Sequence, residues 1–126
     1  MPERAREVEE VVRTWLEAKQ AADIAGIAQH LSAYKGVLAV GTEADEWRAG
    51  ADSFAAAHTG GGPFQATINT LEAHHHGPVA WAAVDATIET GEAEGLPIRL
   101  TLVMVEELDG WRIVQSHAST PAGHGG

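Results

Sequence analysis

The chain has 126 residues, 44% hydrophobic and 21% charged, the size and composition of one soluble globular domain. A formal net charge of −10, with no basic cluster, disfavours nucleic acid and anionic membrane surfaces as partners. The absence of cysteine excludes disulfides, zinc thiolate sites and thiol catalysis, and no apolar run approaches the ~20 residues that span a bilayer.

The N-terminal MPERAREVEEVV reads as a charged helix rather than a signal peptide, so a cytoplasmic protein is the expectation. Val8, Val11, Val12, Trp15 and Leu16 follow helical spacing and predict an amphipathic helix from about residue 4 to 20. Its opposite face carries Glu9, Glu10, Arg13, Glu17 and Lys19. Asp23 offers an N-cap for a short second helix through Ile24, Ile27, Ala28 and Leu31, ending near Ser32. GVLAVG at 36–41 reads as a brief strand and TEADEWRAG at 42–50 as a turn. Residues 51–58 predict a third, alanine-rich helix, halted by Gly60, Gly61 and Gly62.

After Pro63 the pattern turns to β. Strands are expected at 64–73, 79–90, 98–107 and 111–120, with HHHGP forming a turn through Gly77 and Pro78 and GEAEGLP a loop. Helices segregated from an antiparallel sheet make an α+β domain over 1–120, followed by a flexible glycine-rich tail at 121–126.

The last hairpin decides which side chains share a face. In WRIVQSHASTP, simple alternation puts Trp111, Ile113, Gln115, His117 and Ser119 on one side, a face that runs from oily to polar like a pocket wall. A two-residue turn at Asp109-Gly110 would set His117 opposite Leu102 and Ser119 opposite Leu100. A three-residue bulged turn, Leu108-Asp109-Gly110, would set His117 opposite Thr101 and Ser119 opposite Arg99. The bulged turn is favoured because it groups Arg99, Thr101, His117 and Ser119, with Val103, Val105, Ile113 and Trp111 as their apolar continuation. Leu100, Leu102, Met104, Val114 and Ala118 then form a flat apolar face suited to covering by a second subunit.

VGTEADEWRAG (40–50), the strand around Trp81, and RLTLVMVEELDGWRIVQSHAS (99–119) resemble the SnoaL-like branch of the nuclear transport factor 2-like superfamily. That resemblance implies a cone-shaped barrel, with a bent antiparallel sheet wrapped around a long N-terminal helix and two shorter helices. It also implies a pocket at the open end and, as in many such domains, a homodimer through the outer sheet face. Ketosteroid isomerase, polyketide cyclases, dehydratases and non-catalytic association modules all share this fold, so the chemistry is not fixed by it.

The Gln-His-Ser end of the last strand is expected to face the cone's interior. Asp85, the one acid within VAWAAVDATI, and His117 are the expected proton-transfer groups. Arg99, Thr101, Gln115 and Ser119 would hold the ligand's polar end, with Tyr34 at the mouth and Trp47 at the lip. Each has a plainer alternative: Asp85 and Arg99 as an ion pair, His117 as a histidine bonded to Thr101, the tryptophans as core. His74, His75 and His76 read as a solvated turn rather than a metal site, and Glu43, Asp45 and Glu46 as a charged turn. No cofactor or metal is expected. The expected function is binding of a small apolar or carbonyl-bearing ligand, with cofactor-free isomerase, cyclase or dehydratase chemistry; the alternative is a non-catalytic binding or association domain.

Overall fold

Val8, Val12 and Trp15 recur at helical spacing. In the computed structural model, which describes residues 1–34, 36–41, 45–50 and 62–121, all three are fully buried on one stripe of α1 (Arg6–Gln20). Burial of each such side chain stabilises the fold by about 1.5–3 kcal/mol. A two-residue strand, β1 (Glu3–Arg4), precedes the helix. After α1 the chain passes through Ala22 at φ 55, and Asp23 caps α2 (Ile24–Gln29) by accepting the Gly26 N–H at 3.0 Å. Both helices therefore form as the sequence predicts. The third helix expected at 51–58 and the tail at 122–126 lie outside the described residues.

Six further strands follow: β2 (Leu38–Val40), β3 (Trp47–Ala49), β4 (Ala66–His76), β5 (Val79–Ile88), β6 (Leu96–Glu107) and β7 (Gly110–Ser119). They join β1 in one sheet of order β1-β4-β5-β6-β7-β2-β3, bent and not closed. All neighbours are antiparallel except β2, which runs parallel to β7. α1 packs on the inner face nearest β4 and β5, where Ala73, Ala80 and Ala82 let the helix approach closely. This is the α+β architecture expected from the element order. No helix among the described residues is long and apolar enough to cross a membrane.

Two local expectations are corrected. TEADEWRAG is not simply a turn, because Trp47–Ala49 pairs with β2 as strand β3. His74, His75 and His76 belong to β4, and only Gly77 and Pro78 turn the chain, with Gly77 at φ 59.

The hairpin of β6 and β7 departs from both turns weighed above. Its loop is Leu108-Asp109, closed by the pair Glu107 and Gly110. The extra residue comes later: Met104 pairs with Ile113 but Val103 with Gln115, so Val114 is a β-bulge. Beyond it His117 lies opposite Thr101 and Ser119 opposite Arg99, the favoured pairing reached by another route. A similar shift in β4 between Ile68 and Thr70 leaves Asn69 as the extra residue.

The Val114 bulge overturns the expected sidedness. Trp111 and Ile113 are buried before it, whereas Ser116 is buried after it and Gln115 and His117 are exposed. On β6 the inner face is Leu100, Leu102 and Met104, and Arg99, Thr101 and Val103 look outward. An uninterrupted strand could not bury Trp111 and Ile113 while also presenting Ser116 and Ala118 beside Leu100 and Leu102. One inserted residue satisfies both by exchanging the faces of β7 midway.

Candidate functional site

The residues expected to line the pocket do come together, but on the outer face. Asp85 is the register partner of Arg99, Ala83 of Thr101, and Thr101 in turn of His117. Asp85, Arg99, Thr101, Gln115 and His117 are all exposed, and Ser119 is half-buried beside them. A shallow groove of about 670 Å³ runs along this face past Trp81, Asp85, Arg99 and Val103. Tyr34 is 67% exposed and Trp47 66% exposed, and neither is among the described residues that line the two inner spaces below. The expectation that these side chains enclose an interior site is therefore corrected: on β5 and β6 it is Val84, Leu100 and Leu102 that face inward, so Asp85, Arg99 and Thr101 face out, and on β7 the bulge turns Gln115 and His117 to the same side.

The interior cavity is built from other residues. The stripe Val8, Val12, Trp15 continues, four residues on, to Lys19 in the last turn of α1. Gln20 fixes that turn to the sheet: its side-chain oxygen accepts the Ala66 N–H at 3.0 Å and its carbonyl accepts the Phe64 N–H at 2.9 Å. Beneath lies a cavity of about 100 Å³ whose wall includes Leu16, Lys19, Phe64, Ile68, Val84 and Leu100. Among the described residues, Gln20 and Lys19 apart, every lining side chain is aliphatic or aromatic. A cleft of about 380 Å³ adjoins it, sharing Lys19, Phe64 and Ala118 and adding Glu46, Arg48 and Ser116.

Lys19 is thus the amine at the junction of the two spaces. Its Nζ sits 4.7 Å from the centroid of the Trp15 ring. Burial among apolar groups pushes its pKa down to about 8, because the ammonium loses hydration that the π face only partly replaces. Neither Lys19 nor Glu9 keeps to the polar face opposite the apolar stripe: Lys19 is half-buried and Glu9 is buried. Glu9 is 5% exposed, bonds Arg4, and accepts the Ala73 N–H at 3.0 Å. The signal for Lys19 was in the sequence: it stands one step further along the Val8–Val12–Trp15 stripe.

The His74 ring stacks on Trp81 at 6.4 Å, with Nε2 2.6 Å from Glu72, and His75 meets the edge of Trp111 at 6.1 Å. Among the described residues, no three His, Asp or Glu side chains converge as metal ligands would.

Several solved structures share this architecture. A nuclear transport factor 2-like superfamily protein from Salmonella enterica serovar Typhimurium superposes with a TM-score of 0.78 at 20% identity, covering 95% of this chain and 92% of that one. A cystatin-like fold protein from Burkholderia xenovorans gives 0.75 at 18% identity over 91% and 89% of the two chains. A protein from Streptomyces avermitilis, named as a candidate dehydratase of the same superfamily, gives 0.75 at 18% identity over 91% and 94%. At such identities the likeness shows the fold alone. No functionally curated protein matches the sequence. The SnoaL-like domain family, however, matches residues 8–123, nearly the whole chain and both faces of its bent sheet, and the chain belongs to that family.

Proposed function

We propose that this SnoaL-like domain binds a small, largely apolar ligand carrying a carbonyl group in the cavity between α1 and the inner sheet face. Lys19 stands at the ligand's polar end. The observation that carries this reading is the Lys19 amine, set in a wall that is otherwise, Gln20 apart, apolar among the described residues. Such a wall favours ligand entry by releasing water, and the amine supplies a directional contact that orients the carbonyl oxygen. Cofactor-free proton transfer of the isomerase, cyclase or dehydratase type would run through Lys19, since Asp85 and His117 open to the opposite side of the sheet. The non-catalytic alternative uses the same cavity without turnover.

Calorimetric titration with 2-hexanone and 1-hexanol tests the reading. Ala118→Phe, at the wall shared by cavity and cleft, is expected to weaken both ligands at least tenfold. Equal binding by the two proteins would place the ligand elsewhere.

The outer face supports a second copy of this chain as partner. Trp81 and Val103 remain 40% and 37% exposed there, beside Ala83 and Thr101, an apolar strip of the kind that oligomers cover.

A further inference from the structure

Resting on the cavity reading above, we propose that Lys19 is a covalent nucleophile, capturing small aliphatic aldehydes or ketones as a reversible imine. Three features place a reactive amine here. Gln20 ties the last turn of α1 to Phe64 and Ala66, so the Lys19 stem is held at the wall rather than free in solvent. The Trp15 ring, 4.7 Å from Nζ, and the aliphatic lining of the cavity cover one side of the half-buried amine. The adjoining cleft, with the Ser116 hydroxyl on its wall, gives the reaction a route for water to leave.

The step balances without any redox partner. The neutral Nζ lone pair adds to the carbonyl carbon, a C–N bond forms, and the π pair moves to oxygen, which takes up a proton as nitrogen gives up its first. A second proton on that oxygen lets it depart as water, while nitrogen loses its remaining proton and the C=N bond forms. Amine and carbonyl give imine and water. Desolvation supports the first step, because it lowers the Lys19 pKa to about 8 and so enlarges the neutral fraction of Nζ at pH 7 over that of a solvated lysine. A water-poor cavity also slows hydrolysis of the product.

The composition makes the test simple, because Lys19 and Lys35 are the chain's two lysines and the α-amino group is the remaining primary amine. The full chain is incubated with hexanal and cyanoborohydride, which reduces an imine to a stable secondary amine, and the alkylated positions are mapped by mass spectrometry. Lys19 is expected to carry the hexyl group in at least tenfold excess over Lys35. Excess 1-hexanol, which fills the cavity without forming an imine, is expected to suppress labelling at Lys19 and leave the α-amino group unaffected. Lys19→Met and Lys19→Arg should bind 1-hexanol and lose the label. Binding of 1-hexanol without preferential alkylation of Lys19 would overturn the imine and leave the cavity reading standing. Failure of 1-hexanol to bind, with no preference for Lys19, would overturn both.

Discussion

The carboxylate of Glu9 accepts the main-chain N–H of Ala73 at 3.0 Å while bonding the guanidinium of Arg4. One buried acid on α1 thereby joins the helix to β4 and to the β1 edge. The Arg4 guanidinium and the Ala73 N–H hold its pKa down at about 2, against the cost of burial.

A depressed carboxylate pKa means the folded state releases this proton more readily than the unfolded chain does. The stabilisation is complete above the ordinary value of 4.5 and is lost as pH falls from there toward 2. Glu9→Ala is expected to cost about 1–3 kcal/mol at pH 7, since it strands the Ala73 N–H. Urea denaturation at pH 7 and pH 3 should show the gap between wild type and variant narrowing in acid. A gap independent of pH would mean that the charge contributes nothing.

Lys19 has the opposite sign. Its folded pKa is lowered to about 8 from 10.5, so between those values the unfolded chain holds a proton that the folded chain has released. Raising pH through that window therefore favours the folded state. Glu46 and Arg48 line the same cleft, and Trp15 lies beneath the amine. Relative to Lys19→Met, wild type is expected to gain stability from pH 8 to pH 10.5, read by denaturant midpoints at each pH. Parallel curves would show a fully hydrated ammonium.

Asp85 and His117 look away from the cavity. Asp85→Asn and His117→Ala are expected to leave 1-hexanol affinity within twofold of wild type, measured by calorimetry. A tenfold loss in either variant would return the site to the outer face.

A second copy on the outer face would cover Trp81, which is 40% exposed beside the His74 ring. Trp81→Glu sets a charge into that strip, and burying it unpaired costs several kcal/mol. Sedimentation is expected to find wild type dimeric and Trp81→Glu monomeric, with unchanged far-UV circular dichroism. A monomeric wild type would remove the partner.

Sequence by itself determined α1, α2 and the presence of the four long strands β4 to β7. The Val8–Val12–Trp15 spacing, the Asp23 cap and the β patterning after Pro63 are local signals, and each produced the helix or strand it predicts. Even the pairing of Thr101 with His117 was legible, because opposite registers sort the side chains differently. Tertiary structure decided which way those side chains point. An extra residue at Val114 is invisible in the alternation, yet it turns Gln115 and His117 to the outside after Trp111 and Ile113 have turned in. Lys19 shows the same limit from the other side. Its stripe position is written in the sequence, but only the packing of α1 against the sheet makes that position a cavity wall, because desolvation depends on what surrounds an amine and not on its place in the chain.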